Sequence, residues 1–259
     1  MLPVSGLPLH VREATGADEL IVLEPGWSPV VTLVTLASRL AAGAEGQTLV
    51  WEELPAADVG AIALTLRQAW LGDRIRTDAR CPSPDCQERM DIAFEISAYL
   101  AHHRPRPYPG VTVAPDPGWF ELTDEGAGAS ASFRLPTIGD LRTALASPDP
   151  ESCLLERCVR PASVPVDVAR RVSDAMEALA PAVGGTVTMR CPACGGSAEL
   201  GFDAVSYSLA ELRAAAAGLY EEVQLLASAF HWSEEAILAL PRSRRARYAD
   251  LIRKDRAAA

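Results

Sequence analysis

The sequence predicts an α+β fold: two halves, each with a cysteine-bearing turn followed by a strand, amphipathic helices around them, and a three-helix C-terminal tail. Three observations predict it. Two cysteine pairs, Cys81/Cys86 and Cys191/Cys194, sit in turn-forming sequence, R-C-P-S-P-D-C and R-C-P-A-C-G-G. Apolar residues recur at helical spacing on both sides of these turns, without a regular alternation of strand and helix. Residues 208–259 then carry apolar residues three and four apart, interrupted at Ser233 and Pro241. The organisation is expected to be 1–103, an α+β half with the first cysteine turn; 104–136, a proline-rich loop and hairpin; 137–207, a second half with the second turn; and 208–259, the helical tail.

The 259 residues are 49% hydrophobic and 22% charged, too apolar for a disordered chain and enough for one large or two modest cores. The most apolar window, Trp27 to Ala42, carries Arg39 and is too short to span a bilayer. The start, MLPVSGLPLHVRE, lacks the basic and apolar regions of a secretion signal, so a cytoplasmic location is expected. Net charge is −10, opposite in sign to a generic nucleic-acid binder. From Arg242 onward the chain is +5, leaving −15 on residues 1–241.

In chain order, residues 1–26 are expected to be strand-rich, with a turn at Thr15-Gly16. Ser28 to Ala42 is expected to be helical, and so is Asp58 to Arg74, opened by a capping Asp58, with Val59, Ile62, Leu66 and Trp70 at helical spacing. Residues 104–118 are proline-rich, and WFEL and ASFRL flank the glycine-rich TDEGAGAS as in a hairpin. Short helices are expected over Thr137–Ala146 and Pro150–Val159. A longer one covers Val166–Leu179, with Val168, Val172, Met176 and Leu179 on one face. Ser208 and Glu211 fit a capping box. From there Leu209, Leu212, Ala216, Leu219, Val223, Leu226 and Phe230 form a heptad seam, compatible with a coiled coil or with a helix packed on the body. Ser233 is expected to cap a short helix, and Pro241 to open a third.

The segments Arg80–Tyr99 and Arg190–Tyr207 align without gaps after their second cysteine. The alignment pairs Asp91 with Glu199, Ile92 with Leu200, Phe94 with Phe202, Glu95 with Asp203 and Tyr99 with Tyr207. This reads as a duplicated turn-plus-strand unit. A tight turn presents two thiols to one ion, and two such turns complete a tetrahedral four-thiolate site for zinc. Cys81, Cys86, Cys191 and Cys194 are therefore the expected ligands of a structural zinc in a zinc-ribbon-like unit, with no coordination position left for catalysis. Buried thiols without metal and a C-x-x-C redox pair are the alternatives.

Cys153 and Cys158 fall on different faces of a helix and read as buried free thiols. His102 and His103 read as surface loop residues, and His231 as a structural histidine. No phosphate-binding glycine loop, nucleophile elbow or H-E-x-x-H motif is present, so the expectation is not an enzyme. The arginines after Pro241 read as a solvated face or as a patch for an acidic protein partner. A zinc-ribbon regulator that binds nucleic acid is the alternative function.

The segment L-Y-E-E-V-Q-L-L-A-S-A-F-H-W-S-E-E-A-I-L-A-L-P-R-S-R-R-A-R-Y-A-D-L-I resembles a recurring ending in the contractile-tail baseplate hub assembly family of T-even-phage type and its relatives in bacterial contractile injection systems. The two cysteine turns and the stretch Val11–Leu20 are similar as well. The resemblance implies a non-enzymatic assembly factor or minor baseplate component whose partners are baseplate or hub proteins. It implies incorporation into the particle as an option and partner contacts through Trp232, Arg244, Arg245, Arg247 and Tyr248, while no membrane partner is expected from the lack of a spanning apolar window.

Overall fold

The computed structural model describes residues 1–24, 26–124, 129–161 and 164–258. It is an α+β protein, and its first departure from expectation is at the start. Among the described residues of 1–26, only His10–Val11 (β1) forms a strand, and Gly16–Leu23 is a helix (α1). The Asp18 carboxylate accepts both the amide and the hydroxyl of Thr15 at 2.9 Å, so the expected turn is a helix N-cap. Arg12 reaches the same carboxylate at 2.8 and 3.0 Å and Arg39 at 3.1 Å. Arg39 belongs to α2, Pro29–Leu40, which Ser28 caps. Ala41–Ala42 (β2) leaves the helix to pair antiparallel with β1.

Helix α3, Val59–Leu71, forms the centre of the main core, with Ile62, Leu64 and Leu66 buried. Asp58 does not cap it. Its carboxylate accepts the amides of Val4 and Ser5 at 2.9 Å, fastening the N-terminal segment to the core. The helix stops at Gly72, whose φ of 86° costs glycine little. Arg74 therefore opens a strand. Strands β3 (Arg74–Arg80) and β4 (Arg89–Glu95) form an antiparallel hairpin, followed by α4, Ile96–His102. His102 is thus the last helical residue and His103 its C-cap, not loop residues. Each ring Nδ1 lies 2.7 and 2.9 Å, respectively, from the carbonyl four residues back.

Strands β5 (Val111–Val113), β6 (Trp119–Asp124), β7 (Ala129–Arg134) and β8 (Val159–Arg160) make an antiparallel four-stranded sheet in that order. β6 and β7 are the expected hairpin, and residues 125–128 of its turn lie outside the described residues. Between β7 and β8 come α5, Ile138–Leu145, and α6, Pro150–Cys158. Asp140 accepts the Thr137 amide at 3.0 Å and is held by Arg134 and Arg157 at 3.0 and 2.8 Å. Helix α7, Val166–Leu179, covers the sheet, burying Val168, Val172 and Ala175 against Leu122, Phe133 and Val159. Met176 and Leu179 are only half-buried there.

A second hairpin, β9 (Gly185–Arg190) and β10 (Ser197–Phe202), leads into α8, Ala204–Ala216. The helix starts ahead of Ser208, because Asp203 accepts the Val205 and Ser206 amides at 3.0 and 3.1 Å. Ser208 is buried inside it. The heptad seam is split at Ala217-Gly218 and makes no coiled coil. Leu209, Leu212 and Ala216 join the core around α3, while Leu226 of α9 (Leu219–Phe230) packs with Ile237, Ala249 and Ile252. Those last three belong to α10 (Glu234–Leu238), capped by Ser233 as expected, and α11 (Arg242–Ala258). No helix among the described residues is long and apolar enough to cross a membrane.

Candidate metal centre

Each hairpin folds its cysteine turn in the same way. The Cys81 amide donates to the Glu88 carbonyl at 2.8 Å, and the Cys191 amide to the Gly196 carbonyl at 2.9 Å. The residue after the second cysteine is left-handed in both, Gln87 at φ 49° and Gly195 at φ 70°. Glycine is at home there, whereas Gln87 costs about 1 kcal/mol, a strain the first turn accepts with two more residues between its cysteines.

The two turns meet. Cys81 Sγ lies 3.8 Å from Cys194 Sγ, and Cys86 Sγ lies 3.8 Å from Cys191 Sγ. All four sulfurs fall within 4.8 Å of one another, and all four cysteines are free. Such spacing is too long for a disulfide. A tetrahedral ion with bonds of about 2.3 Å to sulfur sets its ligands about 3.8 Å apart. The four cysteines named from the sequence are therefore in one place, with a geometry that can hold a metal ion.

The surroundings favour thiolate unequally. The Cys194 amide, with the Ala193 amide, pulls Cys191 down to about 7. Cys86 receives help from the Glu88 amide, but burial and the neighbouring thiols push it up to about 12. A cation among the four sulfurs removes this conflict, since it favours the deprotonated form of each. Beneath the sulfurs the hairpins bury Met90 and Ala198. Met90 faces Ala79 across the first hairpin and Ala198 faces Met189 across the second, so each side contributes one large and one small residue. At the far end Phe94 and Phe202 meet edge to face at 5.7 Å, flanked by Tyr99 and Tyr207 at 5.1 and 5.5 Å from the ring in their own half.

Cys153 and Cys158 stand apart from this cluster. Cys158 is buried near Asp140, and burial pushes its thiol up to about 11. On the tail, exposed Phe230 and Trp232 and half-buried Tyr248 form an aromatic group, with Trp232 4.9 Å from Phe230 and 5.4 Å from Tyr248. Arg244 donates to the Tyr248 hydroxyl at 3.3 Å, and Arg247 is exposed. Arg245 is not part of that surface. It is 2% exposed and paired with Glu19 and, at 2.7 Å, with Glu222. Glu19 sits beside Asp18 on α1, and nothing local in the sequence links it to a residue so far along the chain. His231 is exposed and takes the left-handed C-cap of α9 at φ 55°, so it is not a packed structural histidine.

No protein-family model, curated protein or solved structure matches the chain.

Proposed function

We propose that the four sulfurs hold one structural zinc ion and that the two hairpins act as a zinc-ribbon-like clamp. The protein on this reading is a non-enzymatic assembly factor or minor structural component of a contractile tail or injection-system baseplate. The observation that carries the scaffold part is the closed set of four sulfurs at tetrahedral spacing. Four thiolates complete the coordination of a tetrahedral ion and leave no position for a substrate. The zinc fixes the hairpins, and through α8 and α9 it fixes the tail.

The baseplate part rests on the resemblance of residues 219–252 and on what the tail exposes. Phe230, Trp232 and Tyr248 flanked by Arg244 and Arg247 form the kind of aromatic and arginine surface that anchors protein partners. Internal pairing of Arg242 and Arg245 with Glu19 reduces the basic charge left for nucleic acid.

The test is co-purification with hub and inner-baseplate subunits from the same gene cluster, in wild type and in Trp232→Ala/Arg247→Glu. The reading expects capture by the wild type and loss in the variant with its thermal midpoint unchanged. Normal, functional particles after gene deletion overturn it. Retention on DNA that falls steeply with salt would instead favour a zinc-ribbon regulator.

A further inference from the structure

The likeness of the two halves extends well beyond the cysteine turns. Asp18 accepts the Thr15 amide and is gripped by Arg12 and Arg39; Asp140 accepts the Thr137 amide and is gripped by Arg134 and Arg157. In both, the second arginine approaches through Nε. In both, the strand residue before the first arginine pairs with the residue two beyond the second: Val11 with Ala41, Phe133 with Val159. Pro55 precedes α3 and Pro165 precedes α7. Superposing Pro55 on Pro165 also superposes Cys81 on Cys191 without a gap, and sets Leu66 on Met176, Arg67 on Glu177 and Trp70 on Ala180. The series β1 to α4 and the series β7 to α8 are thus two tandem copies of one unit, with β5, β6 and α9 to α11 outside the repeat.

Each copy also has its Thr edge closed in the same way by a proline segment from elsewhere. Thr15 bridges to Pro241, and the Arg242 amide donates to the Ala14 carbonyl at 2.9 Å. Thr137 bridges to Pro55, and the Ala56 amide donates to the Pro136 carbonyl at 2.8 Å. Arg242 at the first joint thus corresponds to Ala56 at the second.

Behind the first joint the space is full. The Arg242 guanidinium lies 5.7 Å from the Trp70 ring, donates to the Ala215 carbonyl at 3.0 Å and pairs with Glu19 at 3.1 Å. Arg67 pairs with Glu211 at 2.7 Å alongside. Behind the second joint the counterparts are Ala56, Ala180, Leu141, Glu177 and His103, and they line an open groove of about 1220 Å³. Where one half has an arginine over an indole, the other has two alanines and a void. The groove is open to solvent, and the filled joint in the first half shows what kind of side chains a site of this shape can take.

We propose that this groove docks a segment of a partner protein that inserts an aromatic side chain with an arginine beside it, completing in the second half the pair that Trp70 and Arg242 form in the first. The lining suits that occupant. Leu141, Met176 and Phe202 offer apolar contact to the ring. Glu177, in the place of Arg67, presents a carboxylate to the incoming cation, and Asp203 adds a second acidic residue against the one arginine, Arg106, that also lines the groove. The proposal goes beyond the baseplate reading and does not depend on it.

The test is an NMR titration of the intact, metal-loaded protein with a blocked Trp-Arg dipeptide and, as control, a blocked Ala-Arg dipeptide. Wild type should show saturable shifts at Leu141, Met176 and Phe202 with the first peptide only. Ala180→Trp supplies the indole from the chain itself and should weaken binding by about tenfold or more without lowering the thermal midpoint. Glu177→Arg reverses an exposed rim charge, leaves folding intact, and should weaken binding several-fold, so it decides the matter if Ala180→Trp does not fold. Absence of shifts in wild type, equal shifts with Ala-Arg, or unchanged binding in Glu177→Arg overturns the proposal. Self-association of wild type that Ala180→Trp abolishes would assign the groove to a second copy and overturn it equally.

Discussion

Stripping the metal from the proposed centre should cost the protein a large share of its stability, and the structure sets the size. Cys86 and Cys191 are 105 residues apart in the chain, yet their sulfurs are 3.8 Å apart. A cross-link closing a loop of that length removes about 4.7 kcal/mol of denatured-chain entropy. Repulsion within the stripped cluster adds little, because burial and the neighbouring thiols push Cys86 up to about 12 and Cys81 is raised as well, while backbone amides bring Cys191 down to about 7. With a urea dependence of about 3 kcal/mol/M for a chain of this size, the midpoint should fall by about 1.5 M. The assay is urea unfolding followed by circular dichroism, with and without a zinc chelator, and again after zinc is restored. An unchanged midpoint in protein shown by elemental analysis to have lost its metal would refute the clamp.

Gly60 lies in α3, where an added Cβ would sit 2.3 Å from the Val183 carbonyl oxygen. Alanine gains about 1 kcal/mol of helix propensity, but the backbone clash costs more, so Gly60→Ala should be destabilising by about 2 kcal/mol in urea unfolding. Arg245→Ala leaves buried Glu19 with Arg242 alone and removes the partner of Glu222, and should cost about 3 kcal/mol, read as a fall of about 9 °C in the thermal midpoint. Arg247→Ala, on an exposed residue, should change it by no more than about 1 °C. Acid should weaken the protein in a defined direction. Although burial raises the carboxyl pKa of Asp18 and Asp140, the hydrogen bonds and charges of Arg12, Arg134, Arg157 and the threonine amides outweigh it and hold both below the ordinary range. Their stabilisation is present in full above the unfolded carboxyl pKa of about 3.9 and is lost as pH falls below it. Glu19 runs the other way, since burial raises it and its penalty is relieved on acidification. Asp140→Asn should therefore flatten the acid limb of a pH–stability curve, and an unaltered limb would show that this carboxyl is not responsible.

The candidate site was legible because its chemistry is local. Two thiols in a tight turn announce themselves by spacing, and the matching Phe94/Phe202 and Tyr99/Tyr207 showed that the turns belong together. Helices α2, α3, α5, α6 and α7 were legible for the same reason, since Ile62, Leu66, Val168 and Val172 repeat at helical spacing and really do face a core, whereas α4 was not. What escaped was set by partners distant in sequence. Thr15-Gly16 looks like a turn until Asp18, held by Arg39, is seen to cap a helix. Ser208 and Glu211 mimic a capping box, but Asp203 reaches the free amides first, and Glu211 serves Arg67 instead. The heptad seam is genuine as a pattern, yet its first half faces α3 and its second half faces α11, so one periodicity fills two cores. Arg245 reads as surface charge because nothing near it in the chain reveals Glu19.

The measurement that bears most directly on the central claim is metal analysis of the purified protein combined with X-ray absorption at the zinc edge. The account predicts one zinc per chain with four sulfur ligands at about 2.3 Å, falling in both Cys81→Ser and Cys191→Ser. Metal-free protein as resistant to urea as the zinc-loaded form, or a zinc shell containing nitrogen or oxygen, would contradict it.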